Sequence, residues 1–294
     1  MSVSAAPWTG LDELLALMAC AAYLGATLRG APQARWPSHA LVAGWVLHGV
    51  ALAVDISGWT SPGGARFGFA PALSGAVWLV LAVHAIESRF VPLPGVRRAL
   101  AAMGVVVSAL LAFFPGEIPL RSTSALMPLH LLLGIASYGL FGAAVIHGVM
   151  LDSAERALRA KPTAPPGLSA AAGSAAESAV LRAPALFGLP LLRLERLTFR
   201  FVEAGFVVLS LAIGLGMLAS LLGQWAWRWD HKTVFSLLGW GVFAMLLGGR
   251  QLWGWRGRRA TRWLYAGALL LVLAYVGSRF VLEVLLGRGL GGQG

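Results

Sequence analysis

Residues 223–240 read GQWAWRWDHKTVFSLLGW. Trp225, Trp227 and Trp229 fall at every second position, the charge cluster Asp230, His231 and Lys232 follows, and an apolar run with Ser236 in it comes next. Indoles settle at the headgroup level of a bilayer, whereas charged groups are kept out of its hydrocarbon. A crowd of both between two apolar runs therefore marks a place where a chain leaves the membrane and re-enters it. The fold class follows from that reading: an all-α polytopic membrane helix bundle.

Composition agrees. The 294-residue chain is 58% hydrophobic and only 12% charged, with a mean hydropathy of +0.75, far from the charge content of a soluble domain. A bilayer core about 30 Å thick needs about 20 apolar residues per helix. Eight stretches meet or approach this, near 11–28, 39–55, 71–87, 96–114, 126–151, 199–222, 233–250 and 263–286. The net charge of +11 is spread between these segments and not gathered on one polar domain, which argues against nucleic acid. Cys20 is the one cysteine, so the chain can build no disulfide framework, CxxC pair, thiolate metal site or CxxCH haem attachment.

Charge also predicts topology. The first, third, fifth and seventh loops hold two, three, six and five Lys or Arg, against one, one and two in the second, fourth and sixth. The positive-inside rule then puts the odd loops in the cytoplasm, with both termini and the tryptophan loop outside. The N-terminal MSVSAAPWTGLDE has no Lys or Arg and carries Asp12 and Glu13, so the first segment reads as a retained helix and not a signal peptide. The chain is expected to be a single transmembrane domain, 1–294. Within it, 152–198 is a cytoplasmic loop rich in Ala, Pro, Gly and Ser, flexible by composition, and 223–232 is the outward loop. The end of the long loop, LFGLPLLRLERLTFRF, alternates apolar residues with Arg193, Arg196 and Arg200 as an interfacial helix does.

The stretch WAWRWDHKTVFSLLGWGVFAMLLGGRQLWGWRGRRA resembles the tryptophan-rich region of the cytochrome c assembly family, and within it the small stand-alone YpjD-like or CcsA-like branch. The family pattern is roughly WGxxWxWDPKE, then a serine-containing helix, an Arg and a GWRG-like turn. Trp227, Trp229, Asp230, Lys232, Ser236, Arg250 and Gly254-Trp255-Arg256-Gly257 match; His231 replaces Pro and Thr233 replaces Glu. MPLHLLLGIASYGLFGAAV, with His130 and Tyr138, is similar to the segment that supplies an external haem-ligating histidine. LAYVGSRFVLEVLLGR resembles the last helix of the YpjD-like branch. The second external histidine of the haem-handling relatives has no counterpart after His231.

The resemblance implies a multi-pass protein of the bacterial inner (cytoplasmic) membrane that binds or presents haem at the outer face, with apocytochrome c or another assembly protein as partner. Haem held there needs flat aromatic surface, cations for its propionates and an axial imidazole. Trp225, Trp227 and Trp229 offer the surface, Arg228 and Lys232 the cations, and His130 the ligand to iron, with Asp230 inside the motif. His231 is the alternative second ligand. Arg279 and Glu283, one turn apart in the last segment, are an ion pair joining helices or, for Arg279, a further propionate contact. His48, His84 and His147 read as interhelical hydrogen-bonding groups, with His84 alternatively a remnant of a buried haem site. Arg256, Arg258, Arg259 and Arg262 read as a topology anchor beside anionic lipid.

No phosphate loop, Ser-His-Asp order, paired carboxylates or HExxH is present, so an assembly or binding role is expected and not an enzyme with catalytic residues of its own. Two other classes stay open. One is a non-haem accessory or regulatory protein that kept the fold. The other is a small-solute or ion transporter, against which stands the lack of internal repeats and broken-helix signals.

Overall fold

The computed structural model describes residues 10–28, 34–57, 68–88, 94–114, 126–159, 191–224 and 229–274. They form eight helices: α1 (Leu11–Thr27), α2 (Trp36–Ser57), α3 (Phe69–Glu87), α4 (Pro94–Phe113), α5 (Leu126–Arg159), α6 (Leu191–Leu221), α7 (His231–Trp253) and α8 (Gly257–Val272). There is no strand among the described residues. Helices α2 to α7 are long and apolar enough to cross a membrane. With 17 and 16 residues, α1 and α8 are shorter than a full span, and the expected continuation of α8 to 286 lies outside the described residues. The long loop is narrower than its composition suggests, because α5 continues to Arg159 and α6 already begins at Leu191. Residues 160–190 lie outside the described residues.

Large apolar side chains on the outside of the bundle, such as Leu14, Val106, Leu211 and Leu218, are about half exposed or more. In water such a surface would aggregate; in lipid it is the ordinary exterior. The interior forms two apolar groups. One, with Tyr23, Leu81, Leu100 and Leu151 in it, ties α1, α3, α4 and α5 together. The other gathers Phe141, Phe199, Phe243 and Leu264 from α5 to α8, with the rings of Phe141 and Phe243 stacked at 3.8 Å. Helices α3 and α5 pack against each other and so join the two groups.

Lipid supplies no hydrophobic drive for helices to associate, so close approach and interhelical hydrogen bonds must do it. Two contacts show how. The Tyr23 ring, fully buried, lies between α2 and α4 at Gly44 and Gly104, where an added Cβ would stand 2.8 Å from it in either case. Its hydroxyl meets His48 Nδ1 at 3.3 Å. Between α2 and α3, Trp45 and Trp78 stack at 4.8 Å, and each indole N–H donates to the other residue's backbone carbonyl, at 3.1 and 2.9 Å. Helix α7 ends at Gly254, whose left-handed φ of 63° lets the Trp255 N–H reach the Gly249 carbonyl and turns the chain directly into α8.

Gly44→Leu should lower the thermal midpoint of the detergent-solubilised protein, since overpacking costs about 1–3 kcal/mol. Gly241→Leu, where an added Cβ meets nothing within 4 Å, should leave the midpoint unchanged or raise it. Circular dichroism melts of the two variants test the contrast, and equal midpoints would refute it.

Candidate functional site

Helices α3, α5, α6, α7 and α8 do not close completely. They leave a cavity of about 740 Å³, inside the range of roughly 300–1,000 Å³ typical of cofactor sites. Its walls are kept apart by small side chains, among them Ala72, Ala76, Gly134, Ala212, Gly216 and Ala268. At one end, where α5 starts, α6 finishes and α7 starts, the lining turns polar with His130, Asp230, Lys232, Thr233 and Ser236. Along α5 the lining runs from His130 to Ile146, a depth of about 24 Å at 1.5 Å per residue.

His130 stands in the second turn of α5, with Pro128 in the first turn, where a missing N–H costs no helical bond. Its Nδ1 lies 3.1 Å from the Ala212 carbonyl of α6. A carbonyl oxygen only accepts, so Nδ1 carries the hydrogen and the neutral ring has its lone pair on Nε2. A carbonyl on one ring nitrogen is the usual way of orienting a metal-ligating imidazole. Lys232 is close enough to act electrostatically on this ring.

Asp230 is the N-cap of α7. Its Oδ1 accepts the Thr233 backbone N–H at 2.9 Å, satisfying one of the donors that a helix start leaves over. Burial pushes the carboxyl up, but the backbone and side-chain hydrogen bonds of Thr233 and the charges of Lys232 and His231 outweigh this and hold it below the usual carboxylate range. As the cap it sets where α7 begins, and so where Lys232 and Ser236 stand.

The remaining expected residues divide. His231 and Trp229 are exposed, the latter at 73%, and neither lines the cavity. Trp225, Trp227 and Arg228, with Arg279 and Glu283, lie outside the described residues. His48 and His147 take part in ties between helices: His48 with Tyr23, and His147 through Nε2 to Glu87 Oε2 at 3.1 Å while its Nδ1 donates to the Ala143 carbonyl at 2.8 Å. With both nitrogens engaged, His147 has none left for iron. His84 is buried on α3 beside Glu87. Arg250 is held by Glu195 at 3.4 Å and lies 3.5 Å over the Phe199 ring, a tie between α7 and α6.

Asp152 and Glu87 escaped the sequence reading, and Tyr138 entered it only within the segment that carries the resemblance. Asp152 of α5 accepts hydrogen bonds from Thr261 and Tyr265 of α8 at 2.9 and 2.8 Å. The available signal was a carboxylate just past an apolar span. The Tyr138 hydroxyl donates to the Leu271 carbonyl at 2.6 Å and fixes α8 against the cavity wall. Glu87, three residues after His84, was also passed over, although an i,i+3 pair shares a helix face.

A helical bundle of long apolar helices, with an apolar cavity and a polar, histidine-bearing mouth, defines a polytopic membrane protein. The chain belongs to the cytochrome c assembly family: the family model described as "Cytochrome C assembly protein" matches residues 14–286. It is 36% identical over 96 residues to the inner membrane protein YpjD of Escherichia coli, covering 33% of this chain and 36% of that protein. It is 35% identical over 104 residues to the cytochrome c biogenesis protein CcsA of Prochlorococcus marinus, covering 35% of this chain and 31% of the relative. The match thus spans about a third of the length of these curated relatives. No solved structure matches the chain.

The cap geometry gives the family's Asp-Pro-Lys-Glu a physical meaning. Asp at N-cap, Pro at N1 and Glu at N3 are the favoured helix-start residues. Here His231 and Thr233 occupy N1 and N3, and the cap persists through Asp230.

Asp230→Ala should cost about 1 kcal/mol and fray the first turn of α7, whereas Asp230→Asn, an equally good cap, should preserve stability. Because the folded carboxyl titrates below its unfolded value, the charge-dependent stabilisation is present above the ordinary carboxylate range and lost as pH falls through the lowered value. Thermal melts of wild type and Asp230→Asn between pH 7 and pH 3 check this: the wild type should lose this increment and the Asn variant should not.

Proposed function

We propose that this protein is a haem-handling factor of cytochrome c assembly, holding haem at the polar mouth of the cavity for delivery to an apocytochrome or an assembly partner. The observation that carries the reading is the His130 imidazole at the cavity mouth, with Nδ1 committed to the Ala212 carbonyl and the lone pair directed to Nε2. His130 would ligate iron through Nε2, Lys232 would neutralise a propionate, and the small-residue walls would accept the planar ring. Haem supplies the redox-active iron and the vinyl groups to which cytochrome thiols attach; those thiols belong to the substrate, because this chain holds only Cys20. The described residues of the bundle position the group and exclude water around it. The outward tryptophans, Trp225, Trp227 and Trp229, would cover the ring from the loop side, with Arg228, His231 and Arg279 as further contacts.

Membership of the family and the names of its relatives support this reading. A non-haem accessory role is its competitor, favoured by His130 being the one histidine among the described residues that line the cavity. Protein purified from haem-replete cells should show a Soret band and about one haem per chain by reduced pyridine haemochrome. His130→Ala should lose most of it. Gly134→Leu, which leaves the imidazole in place but fills the wall where an added Cβ meets open space, should reduce haem occupancy severalfold. Haem-free wild type would establish the accessory reading instead, and full occupancy in His130→Ala would remove this ligand assignment.

The mouth is proposed to face outward, with both termini on the same side, in the inner membrane of the cell. A cysteine at Thr233 in a Cys20→Ala background should react with an impermeant maleimide added to intact spheroplasts. Labelling only after lysis would invert the topology.

A further inference from the structure

The end of the bundle opposite the cavity mouth carries a second surface that haem binding leaves unused. Helix α7 has 23 residues, a length of about 35 Å, so its last turn stands at the other face of a bilayer core about 30 Å thick. There the turn into α8 packs three indoles in a row. Trp253 stacks on Trp255 at 5.8 Å and Trp255 on Trp263 at 5.9 Å, with interplanar angles of 26° and 19°. The Arg259 guanidinium lies 4.2 Å over the Trp255 ring. Trp255 is itself seated against Gly249, where an added Cβ would come within 2.5 Å of its ring. The shelf is therefore fixed in place, and its outer member Trp253 is 67% exposed.

Arginines gather at the shelf, and the nearby acid is Glu155, whose Oε1 lies 3.0 Å from where a Cβ on Gly257 would stand. Arg256, Arg258, Arg259 and Arg262 are all exposed, and the first turn of α8 contains no acid. Of the carboxylates at this end, Glu195 is held by Arg250, Asp152 by Thr261 and Tyr265, and Glu155 by Arg159 at 3.8 Å. Among the described residues, Arg256, Arg258 and Arg262 have no carboxylate partner. Four guanidinium forks beside an indole shelf match a phosphodiester with an acyl chain attached: the planar fork pairs bidentately with phosphate oxygens, and indoles settle at the glycerol and headgroup level. Helix starts disfavour cations, and one carboxylate, Glu155, stands beside four arginines here, which leaves an excess of positive charge suited to an external anion.

We propose that the Trp253–Trp255–Trp263 shelf and the Arg256–Arg262 cluster form a specific binding site for an anionic phospholipid, such as phosphatidylglycerol or cardiolipin. This goes beyond a diffuse topology anchor. It requires a retained lipid of defined stoichiometry, chosen by headgroup charge, whose acyl chains lie along the exposed Leu252 and Trp253 side of α7.

The full-length protein, extracted in mild detergent and exchanged into nanodiscs of phosphatidylcholine doped with phosphatidylglycerol or cardiolipin, tests this by native mass spectrometry of retained lipid. Wild type should keep one or two anionic lipids per chain and no comparable phosphatidylcholine. The variant Arg258→Gln/Arg259→Gln/Arg262→Gln should lose anionic-lipid retention at least tenfold with helicity unchanged by circular dichroism. Arg259→Lys keeps the charge but loses the planar fork, and should fall between the two; it carries the test if the triple variant does not fold. Trp253→Ala should weaken retention without altering its preference for anionic headgroups. Equal retention of zwitterionic lipid, or undiminished retention in the arginine variants, would reduce the cluster to a topology signal and overturn the proposal. Displacement of the lipid by millimolar inorganic phosphate would also overturn it, by making the site one for soluble anions.

Discussion

A bilayer offers no water to a peptide group, so every backbone N–H and C=O within it must find its partner inside the protein. That requirement makes the spans helical and makes each helix end a place where unsatisfied donors and acceptors have to be met. The two termini of α7 meet it in opposite ways: Asp230 caps the start with a carboxylate, and Gly254 closes the finish with left-handed backbone. Both devices lie in the most recognisable part of the sequence. The chemistry of the tryptophan region among the described residues is, in large part, the chemistry of beginning and ending one helix.

The same constraint shapes the interior. With lipid as apolar as leucine, helices hold together only where they approach closely or exchange hydrogen bonds. Tyr23 is clasped by two glycines, and Tyr138, Tyr265 and Thr261 tie α8 to α5. Small residues serve in the opposite sense around the cavity, where Gly134 faces open space. One residue class thus closes some interfaces and holds another open, depending on what the facing helix contributes.

Much of the fold was legible because membrane insertion depends on local composition. Apolar runs of about 20 residues, bounded by Trp, Arg and Asp, locate helices without knowledge of their neighbours, and α2 to α7 lie close to where hydropathy puts them. Helix ends were less legible: α5 runs past its apolar span to Arg159 because its last turns carry too much charge to register as span, whereas LLRLERL, read as an interfacial helix, is continuous with the span of α6. The site was legible only in part. His130, Asp230 and Lys232 stand out as residue types, and the structure brings them to one cavity mouth. The partner of His130 is 82 residues away at a backbone carbonyl, which no side-chain pattern encodes. The cavity arises from the order in which α3, α5, α6, α7 and α8 pack, and Asp152 reads as an ordinary loop charge until Tyr265 is placed beside it.

The paired indoles of Trp45 and Trp78 bear on motion. Because each ring donates to the other residue's carbonyl, rotating or sliding either helix breaks both bonds at once, and the pair acts as a key that fits one rotational setting. Helices α2 and α3 are thereby indexed to each other as a stationary wall. Helix α7 leans on α8 far more than on α6, and α8 is in turn held to α5 by Tyr138, Tyr265 and Thr261. Of the seams between the described helices around the cavity, the one between α6 and α7 is thus the lightest in packing, and it lies on the side that the indole key does not index.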